Sequence, residues 1–254
     1  MKKVFITGVS SGIGKELALE YAKKNYLIGL VARRNDLLNE VAKECNNLGS
    51  KTFLYQLDVQ DRNKCEEVVK QFLKDAGGID YVIANAGIGG DDNIFSGSSK
   101  SINNILSTNI HGVTNILMPF IPLMKSQNHG YLVCLSSVAS YLPLPFHGGY
   151  SSSKIAIRRI LDSWRPTLQK HNINLISICP GYIDTPMVKG PARNFPLNKA
   201  NEAAKNFINA IENRRHNFIY PRYYYLLIWL YKMTPLWFYD WFIEKCFQSL
   251  LIKK

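Results

Sequence analysis

Apolar residues along the chain fall into two alternating patterns. Short apolar runs occur at 4–7, 27–32, 81–84, 130–136, 174–179 and 217–220, and 52–57 alternates like a strand. Between them lie longer segments whose apolar positions recur every three or four residues. These are 13–24 (Leu17, Leu19, Tyr21, Ala22), 36–47 (Leu37, Leu38, Val41, Ala42), 61–75 (Val68, Val69, Phe72), 101–124, 150–170 and 199–212. The short runs predict strands buried on both faces, and the longer recurrence predicts amphipathic helices. Strand–helix alternation of this kind implies βαβ units, and so an α/β fold with a doubly wound parallel sheet and helices on both faces. No linker, repeat or low-complexity tract divides residues 1–221, which are expected to form one domain.

The pattern changes at residue 222. Residues 222–254 carry Tyr223, Tyr224, Tyr225, Trp229, Tyr231, Trp237, Phe238, Tyr239, Trp241, Phe242 and Phe247. Two apolar segments flank Lys232-Met233-Thr234-Pro235, and each is too short to span a bilayer. In the second, Asp240, Glu244 and Gln248 recur every fourth residue, which gives an apolar-aromatic helix one polar stripe. This segment reads as an aromatic-rich helical C-terminal extension, not an independent domain. Three roles stay open for it: lying on a membrane, with Lys253 and Lys254 facing anionic headgroups; packing across a subunit interface; or folding back over a substrate pocket as extra core.

Composition narrows the class. At 254 residues, 46% hydrophobic and 20% charged, the chain is of ordinary globular make-up and long enough to bury a core without staples. Its five cysteines are scattered, with no CxxC pair and no Cys/His cluster, so neither a disulfide framework nor a metal site is expected. The net charge of +12 fits a solvated basic surface, an anionic membrane face or anionic ligands such as nucleotide phosphates. The basic residues form no dense run and no nucleic-acid motif, so nucleic acid is not expected as a partner. Met-Lys-Lys followed by Val4-Phe5-Ile6 is too short an apolar stretch for a signal peptide, and the expected location is cytoplasmic, extending to the membrane surface through the tail.

The first apolar run ends in Thr7-Gly8-Val9-Ser10-Ser11-Gly12-Ile13-Gly14, and a helical pattern follows. Glycines at this spacing let the backbone turn tightly and approach a pyrophosphate, while the next helix offers free N–H groups. Ser10 and Ser11 add hydroxyl donors. The second strand ends in Arg33-Arg34, where an NAD site usually carries an acidic residue for the ribose hydroxyls. Arginines there suit a 2′-phosphate, so NADP(H) is expected over NAD(H), with Arg33 the stronger candidate; the alternative is that both face solvent. Asp58, before Val59, either accepts from the adenine amino group or caps the helix beginning near Asp61. Asn85-Ala86-Gly87 closes the fourth strand with small residues that let a cofactor lie on the sheet edge.

Tyr150 and Lys154 are four residues apart on a predicted helix and so share a face. A lysine ammonium beside a phenol favours the phenolate and is expected to draw its pKa toward neutrality, where proton exchange with a carbonyl or alcohol oxygen is efficient. Ser137, at the end of the fifth strand, is placed to polarise the same oxygen. Asn109, in an otherwise apolar helix, is either a satisfied core amide or an organiser of water beside Lys154. The five histidines do not cluster; His147 is a pocket-lining or simple loop residue.

Taken in order, Thr7-Gly8-x3-Gly12-x-Gly14, Asn85-Ala86-Gly87, Asn109, Ser137, Tyr150-x3-Lys154 and Pro180-Gly181 followed by Thr185 resemble the short-chain dehydrogenase/reductase family over about residues 3–221. The resemblance implies a Rossmann-like seven-stranded domain, a catalytic tetrad of Asn109, Ser137, Tyr150 and Lys154, and a homodimer or homotetramer. It also implies that the backbone after Pro180-Gly181, with Ile183, approaches the nicotinamide amide and that Thr185 approaches the diphosphate. Ala84 stands where the family carries a second asparagine, which puts one local hydrogen bond in doubt. Expected substrate walls are 138–149 and 182–197, mostly apolar, with a 190–192 loop able to close. The implied function is hydride transfer between NADP(H) and a carbonyl or alcohol of a hydrophobic acyl, steroid-like or long-chain substrate. A non-catalytic NADP(H)-sensing protein on the same fold, or epimerisation or dehydration with retained cofactor, are the rival readings.

Overall fold

The computed structural model describes residues 1–251, and for residues 191, 192 and 246–251 the backbone only. Lys253 and Lys254 therefore lie outside the described residues, as do the side chains of Pro191, Ala192, Phe247 and Gln248. In chain order the elements are β1 (Lys3–Thr7), α1 (Gly12–Lys23), β2 (Leu27–Ala32), α2 (Asn35–Asn47), β3 (Thr52–Gln56), α3 (Arg62–Ala76), β4 (Tyr81–Ala84), α4 (Lys100–Leu106), α5 (Gly112–Leu117), α6 (Ile121–Gln127) and β5 (Gly130–Leu135). They continue with α7 (Gly148–Gln169), β6 (Ile173–Pro180), β7 (Ile183–Asp184), β8 (Asn198–Lys199), α8 (Ala200–Glu212), β9 (Asn217–Tyr220), α9 (Tyr224–Met233) and α10 (Leu236–Leu251).

Seven strands form one parallel sheet in the order β3-β2-β1-β4-β5-β6-β9, as the alternation of runs predicts. Strand side chains alternate between two cores. Val4, Ile6, Ile28, Leu30, Ile83, Val133 and Ile178 face one, against Leu17, Tyr21, Leu38 and Phe207 of α1, α2 and α8. Phe5, Val31, Val82, Leu132 and Leu175 face the other, against Val69, Phe72, Ile116, Phe120 and Ile157 of α3, α5, α7 and the turn after α5. The inner strands are covered on both faces and need apolar residues at almost every position, which is why they read as nearly unbroken runs, whereas the edge strands β3 and β9 are partly exposed.

The sheet order reverses between β1 and β4. β1 leads outward to β2 and β3, whereas β4 starts the march to β5, β6 and β9. The chains leaving these two strands diverge and open a crevice at the carboxyl edge. The helix expected over 101–124 is broken. A π-turn at Ser107–His111 separates α4 from α5, and a 3-10 turn at Met118–Phe120 separates α5 from α6. Pro119 and Pro122 have no N–H to give an α-helical bond, which accounts for the second break. The short ladder of β7 with β8, Ile183 to Asn198 and Asp184 to Lys199, ties together the two ends of the 185–197 loop.

Candidate active site

Four strands end in line at the carboxyl edge: β1 at Thr7, β4 at Ala84, β5 at Leu135 and β6 at Pro180. Each hands over directly to residues singled out by the sequence. After β1 the chain turns through Gly8 (φ +73°) and Gly12 (φ +59°), backbone states open to glycine at little cost. Gly14 has a different task. A Cβ there would run into the Gly8 carbonyl oxygen and the Asn85 amide nitrogen, so only glycine lets α1 start this close to β1. Asn85 closes the arrangement, its Nδ2 donating to the carbonyls of Thr7 (3.0 Å) and Gly8 (3.1 Å). The buried Thr7 hydroxyl in turn accepts from the N–H groups of Asn85 (3.1 Å) and Ala86 (3.0 Å). Ala84, the departure from the family pattern, sits in the core and leaves this lock intact.

A cavity of about 410 Å³ opens over this turn. Its wall includes Gly8, Ser10, Ser11, Gly12, Ile13, Arg33, Arg34, Asp58, Val59, Asn85, Ala86, Gly87 and Thr185, thirteen of the residues predicted to contact a cofactor. Of the other residues expected to contact the cofactor, Gly14, Tyr150, Lys154, Pro180, Gly181 and Ile183 do not contribute to that wall. Gly14 and Ile183 are buried beneath it, and Gly181 donates its N–H to the Tyr220 carbonyl (2.7 Å). The Arg34 guanidinium donates to the hydroxyls of Ser10 (2.7 Å) and Ser11 (3.2 Å), so it is anchored on the turn. Arg33 lies 3.5 Å from the Asp58 carboxylate in an exposed, weak pair. Asp58 is not the helix cap that the sequence allowed. Asp61 is, its carboxylate accepting from the Lys64 N–H (3.0 Å), while Asp58 accepts from Gln60 (3.1 Å) and remains on the cavity wall.

The shape and donor set of this cavity suit a dinucleotide. Its wall combines the glycine turn at the start of α1 with the hydroxyls of Ser10 and Ser11 and the guanidiniums of Arg33 and Arg34. Gly87 is part of the fit, because a Cβ there would stand 3.1 Å from Asn109 Oδ1 and 3.4 Å from Lys154 Nζ.

Asn109, Ser137, Tyr150 and Lys154 come together beside this cavity. Lys154 is buried, and its ammonium donates to the Leu135 carbonyl (2.8 Å) at the end of β5. Ser136 donates to the Lys154 carbonyl (2.9 Å), which fixes α7 against that strand. Ser137 accepts from the Ala139 N–H (3.1 Å) and donates to the Pro180 carbonyl (3.4 Å). Asn109 lies within the π-turn and is fully buried. Its amide accepts from the Ile88 N–H (2.9 Å) and donates to the Ile88 carbonyl (2.9 Å) and Ser153 (3.0 Å). Of its two readings, the satisfied amide describes the side chain seen here.

The electrostatics correct one expectation. Burial raises the Tyr150 phenol above its ordinary value, and a hydrogen bond with Ser137 only partly opposes this. Lys154 does not draw the phenol down: its nitrogen stands 5.6 Å from the Tyr150 ring centre and donates its hydrogen bond to the Leu135 carbonyl. Burial instead lowers the pKa of Lys154 itself to about 8. The group poised near neutral pH is the lysine.

On the substrate side, Met187 and Tyr150 both border Gly89, and Tyr182 stacks on Phe195 with ring centres 5.0 Å apart. His147 is a loop residue whose Nδ1 meets the Gly90 carbonyl at 2.6 Å. Three contributors escaped the sequence reading. Ser153 links Asn109 to the Tyr150 carbonyl (2.7 Å). Asp92, buried, caps α7 by accepting from the Gly149 N–H (3.0 Å). Tyr224 of α9 packs against Gly181, where a Cβ would strike its ring. The Ser153 pattern was readable within the Tyr150-x3-Lys154 segment; the other two depend on contacts between distant segments.

Comparison with known proteins points one way. Residues 2–194 match the family model described as short chain dehydrogenase. Human 17-beta-hydroxysteroid dehydrogenase 13 is 29% identical over 236 residues, covering 91% of this chain and 79% of that protein. A 3-oxoacyl-[acyl-carrier-protein] reductase of Thermotoga maritima is 32% identical over 190 residues, covering 74% of this chain and 76% of its own. Among solved structures, an alcohol dehydrogenase from the archaeon Thermococcus sibiricus complexed with 5-hydroxy-NADP is 27% identical with a TM-score of 0.78, covering 86% of this chain and 95% of that chain.

Proposed function

The chain belongs to the short-chain dehydrogenase/reductase family, and from that premise we propose that it is an NADP(H)-dependent oxidoreductase acting on a carbonyl or alcohol of a hydrophobic substrate. The observation that carries this reading is the meeting of Tyr150, Ser137 and Lys154 beside a cavity edged by two arginines.

NADP(H) bound there would supply or accept a hydride. Gly12 and the first turn of α1 would hold its diphosphate through backbone N–H groups and helix dipole, while Gly8, whose own N–H donates to the Val31 carbonyl (2.8 Å), gives the clearance for its approach. Arg33 and Arg34 pair with the 2′-phosphate, and Ser10 and Ser11 orient Arg34 for it. Tyr150 holds its proton at neutral pH because its phenol is buried, and it gives that proton to the substrate oxygen during reduction. Ser137 donates a hydrogen bond to the same oxygen. Lys154, near pH 8, loses and regains a proton within reach of Tyr150. Asn109 holds the Ile88 loop and Ser153 in register with α7. Tyr182, Met187, Phe195 and Tyr224 favour an apolar substrate body, in keeping with relatives named for hydroxysteroids and for a 3-oxoacyl group.

The test is NADPH and NADH oxidation against ketones and acyl thioesters of rising chain length, with Tyr150→Phe as the control. Expected are turnover that grows with chain length, a loss of about a hundredfold or more in the variant, and a reversal of cofactor preference in Arg33→Asp. A Tyr150→Phe enzyme of full activity would remove the reading.

A further inference from the structure

The last two helices face in two directions. On its inner side α9 buries Tyr224 and Ile228 against Val138, Cys179 and Ile219. The Tyr239 hydroxyl of α10 donates to the Pro143 carbonyl (2.9 Å), in the loop that leads into α7 and Tyr150. The exposed side is mostly apolar, with Asp240 and Glu244 on α10 among its polar positions. Twelve exposed large apolar side chains lie between Tyr223 and Phe242, against nine in all the other described residues. They include Leu226, Trp229, Leu230 and Met233 of α9 and Trp237, Trp241 and Phe242 of α10. A surface this concentrated marks a contact site.

We propose that this outer face beds on an anionic lipid surface. Three features choose lipid over a second copy of the chain. The face mixes tryptophan and tyrosine with leucine, side chains whose apolar bodies and polar tips suit the headgroup boundary. Arg222, Lys232 and Lys245 are exposed on this segment against the two exposed acids Asp240 and Glu244, so its charge balance is positive and suits lipid phosphates. The chain carries a net charge of +12, which draws it toward an anionic membrane and opposes pairing with an equally charged copy. Among the described residues no helix is long and apolar enough to cross a membrane. The sixteen residues of α10 would reach about 24 Å, short of a hydrocarbon core of about 30 Å. The helices therefore lie in the plane of the surface.

This bedding has a consequence for the site, and that step rests on the proposed oxidoreductase reading. The inner side of the same helices covers Gly181 and the 138–149 loop, so the substrate entrance stands at the lipid boundary. A carbonyl compound dissolved in the bilayer reaches Tyr150 without crossing water.

The experiment is co-sedimentation of the full chain with phosphatidylcholine vesicles and with vesicles that also contain phosphatidylglycerol, at low and high salt. The wild type is compared with the double variant Trp237→Glu/Trp241→Glu, and size-exclusion chromatography follows the oligomeric state of both. Expected are binding to the anionic vesicles, weakening with salt, and a loss of about tenfold in the variant. The variant should keep its turnover of a short, water-soluble ketone. Wild type that stays in solution with anionic vesicles overturns the proposal. So does a variant that pellets as well as wild type, or one that only dissociates a dimer. Vesicle binding is read without turnover, so an inactive protein that binds vesicles would fail the oxidoreductase reading alone.

Discussion

The cofactor side and the substrate side of the cleft are made in different ways. On the cofactor side, backbone is packed on backbone and locked by two polar side chains. Gly14 sits against the Gly8 carbonyl, Asn85 bonds two carbonyls of the β1 turn, and the Thr7 hydroxyl holds two N–H groups. On the substrate side, side chains from loops and from α9 lean on one another: Tyr182 on Phe195, Tyr224 on Gly181, Arg158 over the Tyr141 ring at 3.9 Å. The first construction tolerates almost no change of residue and can serve any substrate. The second can be rebuilt without disturbing the first.

The sharpest way to break that contrast is to add one methyl group on the cofactor side. Gly14→Ala places a Cβ against the Gly8 carbonyl and against the Asn85 side-chain amide, which is itself held by two carbonyls of the β1 turn. It is expected to cost about 4 kcal/mol of stability and to abolish dinucleotide binding in whatever protein remains folded. Denaturant unfolding and NADPH titration check both. A variant that folds and binds normally would mean the turn is less constrained than its contacts imply.

The next effect belongs to Lys154, where the two sides meet. A lowering from 10.5 to about 8 is a burial penalty on the ammonium on the order of 3 kcal/mol. Below about pH 8 folded and unfolded chains both carry the charge, and the folded state bears the whole penalty. Between about 8 and 10.5 the folded chain has released the proton while the unfolded chain keeps it, so the penalty fades as pH rises. Lys154→Met should therefore be inactive yet more stable than wild type at pH 7, with an advantage that shrinks toward pH 10. Denaturant midpoints at the two pH values measure it, and a constant advantage would contradict the shift.

A milder change probes the substrate side. Tyr224→Leu removes a ring that packs on Gly181 and on the Val138, Cys179 and Ile219 cluster, and should cost about 2 kcal/mol. Because no cavity-wall residue is touched, the KM for a long-chain ketone should rise while NADPH affinity stays the same. Equal losses in both would show that the two halves are not separable.

The same contrast explains how much could be read in advance. The sheet and its order of elements were visible, because burial on both faces forces nearly unbroken apolar runs in the inner strands. So were the turn glycines and the Tyr150–Lys154 spacing, since backbone clearance and helical repeat dictate residue type at fixed intervals. What was hidden depends on distant segments. Nothing local in 101–124 marks a π-turn at Asn109. The expected influence of Lys154 on Tyr150 gave way because β5 ends in a carbonyl that takes the ammonium first. The inner contacts of the tail follow from where Gly181 and Pro143 happen to lie.

Asp92 offers the finest test, for it belongs to neither side and appears to the sequence as one more loop acid. α7 begins at Gly148 without a side-chain cap of its own. The buried Asp92 carboxylate supplies one from the loop after β4, with Oδ1 3.0 Å and Oδ2 3.2 Å from the Gly149 nitrogen. The Asp92 N–H donates to the Phe146 carbonyl (2.9 Å), so the grip is two-sided. Gly148 and Gly149 are bare at this point because a Cβ on either would stand 3.0 Å from the carboxylate. A negative charge at a helix N-terminus is worth about 1 kcal/mol. Here that helix end carries Tyr150 in its first turn. Asp92 is thus a positioning residue: it touches no reacting atom but sets where the phenol stands. Asp92→Ala should lower kcat about fivefold with NADPH affinity unchanged, and Asp92→Asn, which keeps the acceptor and loses the charge, should recover part of it. A purely structural role would lower the melting temperature of both variants and leave kcat of the folded enzyme at the wild-type value.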